Sequence, residues 1–147
     1  MKVVVQRSLA SSVSINNKIV GKIDKGLVLL VGFTEGDNEE IINKMVKKVI
    51  NLRIFDDENG VMNKSLLDVN ESILSISQFT LYANTKKGNR PSYIEALSGN
   101  LASPLYDLFN KKLKEQGVIV ETGVFGADMK VSITNDGPIT IILESGV

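Results

Sequence analysis

The stretch Ser72-Ile73-Leu74-Ser75-Ile76-Ser77-Gln78-Phe79-Thr80-Leu81 decides how the rest of this chain is interpreted. Its first half alternates polar and apolar residues, the period of two that is typical of a half-buried β-strand. Residues 82–88 follow as a basic, glycine-containing loop. A strand end that opens onto such a loop is a common place for a site, because the strand is rigid and its last residues have left the ladder. Taken alone, an ordinary strand and loop are the simpler explanation.

Strands and a helix are predicted before this stretch. Asn16-Asn17 is able to take the positive φ angles of a hairpin turn, and Asp37 with Glu40 three residues later matches a helical capping box. In chain order we predict a strand at residues 3–5 buried on both faces, a hairpin over residues 11–23, a central strand over residues 27–33, a helix whose apolar face carries Ile41, Ile42, Met45, Val46, Val49 and Ile50, and a short strand at residues 52–55.

A second helix and three strands are predicted after it. Ser103-Pro104 lies near the start of that helix, and Gly117 is placed to end it. Its apolar stripe is predicted to contain Leu101, Leu105, Leu108, Phe109 and Leu113, and the strands are predicted over residues 118–124, 129–134 and 139–143. Because strands outnumber helices, we predict an α/β fold, a single domain over residues 1–147 with curved or barrel-like β-sheets covered by two helices.

The composition excludes several kinds of chemistry. The 147 residues contain no histidine and no cysteine, so Ser-His-Asp or Cys-His catalysis and a His- or Cys-bound zinc are excluded. The formal net charge is zero, so a contact with nucleic acid would have to be local. The acidic run Asp56-Asp57-Glu58-Asn59-Gly60 lacks EF-hand spacing and is predicted to be a solvated turn. We expect a soluble cytoplasmic protein with no membrane span, no cofactor and no metal requirement.

The candidate chemical groups lie at the end of the central stretch. Thr80 and Ser77 are possible nucleophiles, but neither has a base beside it in the sequence. The backbone amides around Phe79 and Thr80 are a second set of candidate groups. Amides freed at a strand end can stabilise an oxyanion without a titrating side chain. Gln78 is able to hydrogen-bond a ligand amide or ribose, and Phe79 is able to stack on a base, although an apolar residue there is more often part of the core.

Two further features could belong to a site. Gly137-Pro138 lies between two predicted strands, and because proline cannot occupy a central ladder it must lie at a turn or an edge. It forms either a plain turn or a rigid backbone wall, especially if the peptide bond is cis. Lys86, Lys87 and Arg90 form a small basic cluster that either contacts phosphates or is simply a solvated loop.

Two motifs taken together resemble a known family. Ser77-Gln78-Phe79-Thr80-Leu81 with Asn135-Asp136-Gly137-Pro138-Ile139-Thr140 is similar to the motif pair of D-aminoacyl-tRNA deacylases. Three other segments resemble parts of the family's pattern in the same order: Leu52-Arg53-Ile54-Phe55, Arg90-Pro91-Ser92-Tyr93 and Phe125-Gly126-Ala127-Asp128-Met129. The resemblance extends over essentially the whole chain, and the two motifs are specific only as a pair.

The resemblance implies an activity, an assembly and a set of site residues. It implies hydrolysis of the ester between a D-amino acid and the terminal adenosine of tRNA as chiral proofreading in translation, with achiral glycyl-tRNA as a further substrate. It also implies a homodimer with active sites at the interface, where a cis Gly137-Pro138 peptide reaches into the partner's pocket. The implied catalytic residues are Ser77, Gln78, Phe79 and Thr80. The implied substrate-binding residues are Gly137, Pro138, Arg7, Asn135 and Thr140, with Arg7 bracing the Gly-Pro loop.

The role of Thr80 and the function itself each leave alternatives. Family accounts divide over Thr80 as nucleophile or as pocket wall, and the residues favour the wall. An aminoacyl ester is already activated, and the neighbouring ribose hydroxyl can position water, so oriented amides suffice. The alternatives to the hydrolase are a non-catalytic single-strand nucleic-acid binder that uses Phe79 and the basic cluster, and an editing module that removes a wrong L-amino acid.

Overall fold

The structure is a computed structural model that describes residues 1–146. The strands are β1 (Lys2–Ser8), β2 (Ser11–Ile15), β3 (Lys18–Ile23), β4 (Gly26–Gly32), β5 (Phe55–Asp56), β6 (Met62–Lys64), β7 (Ser72–Ser77), β8 (Val120–Thr122), β9 (Lys130–Ser132) and β10 (Asn135–Glu144). The helices are α1 (Glu39–Asn51), α2 (Leu66–Val69) and α3 (Gly99–Glu115), and a 3-10 helix covers Phe79–Tyr82.

A mixed five-stranded sheet forms the centre of the fold, in the order β10-β1-β4-β7-β8. β1 pairs antiparallel with β4 and β10, whereas β7 pairs parallel with β4 and β8. α1 lies in the connection between β4 and β7, and α3 lies in the connection between β7 and β8. A three-stranded sheet, β3-β2-β9, and the small β5-β6 hairpin complete the strands.

Two apolar clusters cover the two faces of the central sheet. On one face α1 and α3 pack against residues that alternate along β1 and β4, among them Val3, Val5, Leu27, Leu29 and Val31. On the opposite face the three-stranded sheet contributes Val13 and Ile23, which pack against Val28, Leu74 and Ile76. The predicted α/β fold of sheets covered by two helices is confirmed, with α2, the 3-10 helix and the short strand β6 as elements that we did not predict.

β7, the strand of the deciding stretch, is more deeply buried than predicted. Ile73 packs on the helix side and Leu74 on the other, and Ser75, the next residue, is fully buried. The Tyr106 hydroxyl donates a hydrogen bond to the Ser75 carbonyl over 2.7 Å. The half-buried prediction is therefore wrong, because a strand with parallel neighbours on both sides and layers on both faces has no solvent side.

The predicted degree of burial is also wrong for β1. Val3 and Val5 are buried, but Val4 is only half-buried, so the strand alternates instead of being buried on both faces. The predicted hairpin over residues 11–23 is confirmed, and Asn16 and Asn17 take φ angles of 49° and 64°.

The start of α1 differs by one residue from the prediction. Asn38, not Asp37, is the N-cap, and its side chain accepts a hydrogen bond from the Ile41 amide. The Asp37 carboxylate instead accepts from the Thr34 amide and from the Met1 nitrogen, each over 2.8 Å. All six predicted apolar positions of this helix are at least partly buried.

Three further predictions need correction. The buried face of α3 consists of Ala102, Tyr106, Phe109, Asn110 and Leu113, whereas Leu101 is 61% exposed and Leu105 and Leu108 are only half-buried. Only Phe55 of the strand predicted at residues 52–55 is in β5. The last three predicted strands exist with other limits, since β8 and β9 have three residues each and β10 extends back to Asn135.

Candidate functional site

The end of β7 opens into a groove of about 260 Å³. β7 ends at Ser77, the chain leaves the ladder at Gln78, and the 3-10 helix begins at Phe79. Ser77, Gln78 and Phe79 form one wall of the groove. The Phe79 side chain is 56% exposed, so it is not a core residue despite its place in an apolar alternation. It is free to contact a ligand.

The opposite wall comes from the loop between β8 and β9 and from one residue of β9. Residues 125–129 and Val131 face the motif across the groove. Gly126 has a φ of +78° and turns the chain back at this point. In the sequence, only the resemblance to the family points to residues 125–129. A glycine turn between two strands is too common a signal to identify the wall of a site.

Thr80 has no base to activate it. Within residues 1–146, the one hydrogen-bond partner of its hydroxyl is the Gln78 side-chain amide. An amide is neutral in either orientation and takes no proton, so Thr80 lacks the neighbour that an activated nucleophile needs. Burial raises the pKa of the nearby Tyr82 phenol, which therefore stays protonated. Asp128 at the rim is almost fully exposed and pairs with Lys130.

The backbone at the start of the 3-10 helix supplies the polar groups that the side chains do not. The amides of Phe79 and Thr80 donate to no acceptor within the described chain, whereas the Gln78 amide donates to Val31 and the Leu81 amide to Gln78. The first amides of a helix have no partner inside it, and free amides of this kind can stabilise an oxyanion. Phe79 lines the groove and Thr80 directly follows it, which fits the predicted use of backbone amides.

The Gly137-Pro138 motif forms a protruding loop in an edge strand. Gln6 pairs with Thr140 and Ser8 with Asn135, so residues 136–139 stand opposite Arg7 alone. Gly137 and Pro138 are exposed, and the peptide bond between them is cis, as predicted. A Cβ on Gly137, whose φ is +136°, would lie 2.7 Å from the Ile139 side chain and 2.9 Å from its amide nitrogen.

Side chains hold this loop from both sides. Arg7 donates to the Asp136 carbonyl over 3.1 Å and to the Ile54 carbonyl over 3.0 Å, and its guanidinium also faces the carboxylates of Asp136 and Asp56. The Asn135 side chain donates to the Thr140 hydroxyl and accepts from the Ile139 amide, each over 2.9 Å. Arg7, Asn135 and Thr140 are thus placed to fix the loop, and the sequence did not reveal the part of Asp136 in this network.

The two motifs lie at opposite ends of the central sheet. Across the sheet, Asn135 pairs with Ser8, Ser8 with Gly26, and Gly26 with Ser72 at the start of β7. Ser77 is at the other end of β7. Asn135 and Ser77 are therefore three strand spacings apart across the sheet and five residues apart along the strands, a separation on the order of 20 Å. Glu71, just before β7, lies at the same end of the sheet as Asn135: burial raises the pKa of its carboxyl, and the charges of Asp136 and Arg7 are close enough to contribute smaller, opposite shifts. The groove and the Gly-Pro loop of one chain therefore do not form one site.

Neither motif is accompanied by an evident metal site in the described residues. Residues 1–146 contain no group of three or more His, Cys, Asp or Glu side chains that could hold a metal ion. Among the same residues, no helix is both long enough and apolar enough to cross a membrane. A cavity of about 560 Å³ beside Met1, Asp37 and Ser145 is lined by no residue of either motif.

Comparison with known proteins identifies the family. The family model described as D-Tyr-tRNA(Tyr) deacylase matches residues 4–144. D-aminoacyl-tRNA deacylases of Limosilactobacillus reuteri (strain DSM 20016) and Flavobacterium psychrophilum are each 58% identical, covering 98% and 99% of this chain and 99% and 97% of their own lengths. A solved structure of the c-Myc DNA Unwinding Element Binding Protein matches with a TM-score of 0.95 at 39% identity over both full chains. A probable eukaryotic D-amino acid tRNA deacylase, 18% identical with 97% of each chain covered, shares the fold with a TM-score of 0.84. The chain belongs to the D-Tyr-tRNA(Tyr) deacylase family.

Proposed function

We propose that this protein hydrolyses the ester bond of D-aminoacyl-tRNA, releasing the free D-amino acid and tRNA. The observation that carries the proposal is the match of nearly the whole chain to deacylases that are 58% identical. The groove at Ser77, Gln78 and Phe79 supplies a site of suitable chemistry, because its free amides suit an ester whose carbonyl oxygen becomes an anion during attack.

The groups available favour direct attack by water. Water adds to the ester carbonyl, the amides of Phe79 and Thr80 stabilise the resulting oxyanion, and the carbon–oxygen bond to the ribose then breaks. The ribose hydroxyl next to the ester is placed to orient the water, and the departing ribose oxygen takes up a proton. No protein side chain needs to become covalently attached.

Assembly into a homodimer would bring the two motifs together. The groove and the Gly-Pro loop are separated within one chain, so the loop can complete a site only in a second copy. A two-fold dimer, the commonest closed assembly, would form two such sites at once. The exposure of Gly137 and Pro138 on an edge strand supports this arrangement.

The same loop provides a basis for chiral selection. A site can separate D from L substrates by refusing the L side chain with a rigid wall, which leaves a broad range of D side chains acceptable. The Gly-Pro loop is suited to be this wall, because Arg7 and the Asn135–Thr140 pair fix it from both sides. Glycine has no side chain for the wall to meet, so glycyl-tRNA should also be hydrolysed.

Deacylation of D- and L-tyrosyl-tRNA tests the function. We expect D-tyrosyl-tRNA to be hydrolysed, L-tyrosyl-tRNA to be refused and glycyl-tRNA to be accepted, as measured by release of the labelled amino acid. L-selective release would instead indicate an editing module for a wrong L-amino acid. Comparable rates on both tyrosyl isomers would contradict the wall.

Binding of single-stranded nucleic acid without turnover is a second candidate. It is favoured by the structural match to a protein described as binding a DNA unwinding element, and by the exposed Phe79 ring. Filter binding alongside the deacylation assay separates the two candidates, because a pure binder would retain labelled tRNA on the filter and release no amino acid.

Replacement of Thr80 by alanine tests the direct attack of water. Thr80→Ala removes the hydroxyl and keeps the backbone amide, so we expect activity on D-tyrosyl-tRNA to remain within about tenfold of the unmodified protein. Loss of an essential nucleophile would instead lower kcat by several orders of magnitude. An acyl-enzyme trapped on Thr80 and detected by mass spectrometry would contradict attack by water.

A further inference from the structure

A long loop beside the groove has no role in the function described so far. Residues 83–98 join the 3-10 helix to α3 and contain neither helix nor strand. The Leu97 amide donates to the Phe33 carbonyl, and the Thr34 hydroxyl donates to the Glu95 carbonyl, so the base of the loop is fixed to the end of β4. A bridge between Asn84 and Ser92 closes its tip. Long loops that are held in this way are usually functional.

An aromatic ring of this loop extends the groove wall. The Tyr93 ring packs edge-on against the Phe79 ring, with the centroids 5.1 Å apart and the planes inclined by 68°. Tyr93 is 42% exposed, and Ile94 beside it is 87% exposed. Rings inclined in this way cannot both stack on one base, so together they suit two different bases.

The tip of the loop carries unpaired positive charge. Lys86, Lys87 and Arg90 are exposed, and none of them forms an ion pair with a carboxylate within residues 1–146. The chain as a whole has a formal net charge of zero, so this is a local excess. Aromatic faces beside a basic track are the combination by which proteins bind single-stranded nucleic acid.

We propose that Tyr93 stacks on the base that precedes the terminal adenosine, and that Lys86, Lys87 and Arg90 bind phosphates of the same single strand. The inference rests on the proposed function, which places the ester and its adenosine in the groove beside Phe79. The adjacent ring at Tyr93 is then the next surface that the strand meets. The loop thus serves to bind the tRNA, whereas the groove binds the ester.

A pair of substrates isolates the contribution of Tyr93. One substrate is D-tyrosyl-tRNA, and the other is D-tyrosyl-adenosine, which has the same ester and no preceding nucleotide. We expect Tyr93→Ala to lower kcat/KM for D-tyrosyl-tRNA about tenfold, mainly through KM, and to leave D-tyrosyl-adenosine unchanged. Tyr93→Phe keeps the ring and should retain activity on both substrates.

The proposed phosphate binding has its own readout and a matched control. With Lys86, Lys87 and Arg90 all replaced by alanine, the slope of log(kcat/KM) against log of salt concentration should become shallower by about 2, near 0.7 for each phosphate that is no longer neutralised. Lys111→Ala with Lys114→Ala removes two cations of α3 that also lack a carboxylate partner within residues 1–146, and should leave the slope unchanged.

The outcomes distinguish this inference from the function on which it rests. Loss on tRNA alone, rescued in Tyr93→Phe, supports the stacking role. Equal loss on both substrates, or no loss on tRNA, overturns it while the hydrolase proposal stands. If the unmodified protein hydrolyses neither substrate, both the proposed function and this inference fail.

Discussion

Gly137→Ala is expected to lower kcat/KM for D-tyrosyl-tRNA by about 100-fold, since misplacing a positioning element by about 1 Å can cost that much. Gly137 has a φ of +136°, which side chains rarely adopt, and a Cβ there would press on the Ile139 side chain and amide. The loop would have to move, and with it the wall that we propose for the site of a second subunit. Because the loop is exposed, the melting temperature should change little by comparison.

Gly60→Ala is the matched control for this substitution. Gly60 also has a positive φ, of 74°, but nothing lies within 4 Å of a Cβ built on it, and it belongs to the turn before β6. Gly60→Ala should show only the loss of stability from placing a side chain at a positive φ angle, with activity unchanged. Full activity of Gly137→Ala would contradict a rigid loop that selects the substrate.

We expect the kcat of Phe79→Pro to be about 100-fold or more lower than the kcat of Phe79→Ala, because removal of one oxyanion donor has an effect of this size. Both variants lack the ring, so the difference between them isolates the backbone amide. Proline is suited to the first position of a helix, and Gln78 before it, with φ −145° and ψ 82°, lies outside the α region that a following proline disfavours. The Phe79 amide has no acceptor in the described chain, so its removal breaks no internal hydrogen bond.

Single-turnover rates on D-tyrosyl-tRNA, with circular dichroism to verify folding, give the comparison. Equal rates in Phe79→Pro and Phe79→Ala would show that this amide has no part in the reaction. A low rate in both variants would assign the main contribution to the ring instead.

Local sequence signals predicted the elements that depend on local interactions. The Asn16-Asn17 turn and the apolar face of α1 were correct because they follow from positive φ and helical spacing alone. The cap of α1 was misplaced because Asp37 and Asn38 are both good N-cap residues. Asp37 has another role, because its carboxylate accepts from the distant Met1 nitrogen as well as from the Thr34 amide three residues earlier.

Other features depend on contacts that the sequence does not show. Along α3, Leu101, Leu105 and Leu108 form one helical stripe, while Ala102, Tyr106, Phe109 and Leu113 form another; packing on the sheet buries the second. The alternation along β7 predicts a solvent-facing Ser75, but both faces of that strand are covered.

The site was predictable in its parts but not in its arrangement. The motifs at Ser77–Thr80 and Asn135–Thr140 were recognised by resemblance, and the free amides of Phe79 and Thr80 follow from a strand that ends there. Their separation depends on the parallel pairing of β4 with β7 and on the edge position of β10, which only the sheet topology shows. The resemblance implied a site shared between two subunits. The separation of the two motifs within one chain is the physical reason to propose such a site.

Mixed dimers provide the most direct test of a site shared between two subunits. Gly137→Ala leaves the groove intact, and Phe79→Pro leaves the loop intact, so each variant alone should be nearly inactive. Co-expressed with different tags and purified through both, they form a heterodimer in which one groove meets one intact loop. We expect this heterodimer to recover about half the D-tyrosyl-tRNA deacylation rate of the unmodified dimer, one site of two. A heterodimer no more active than either variant alone would contradict the shared site.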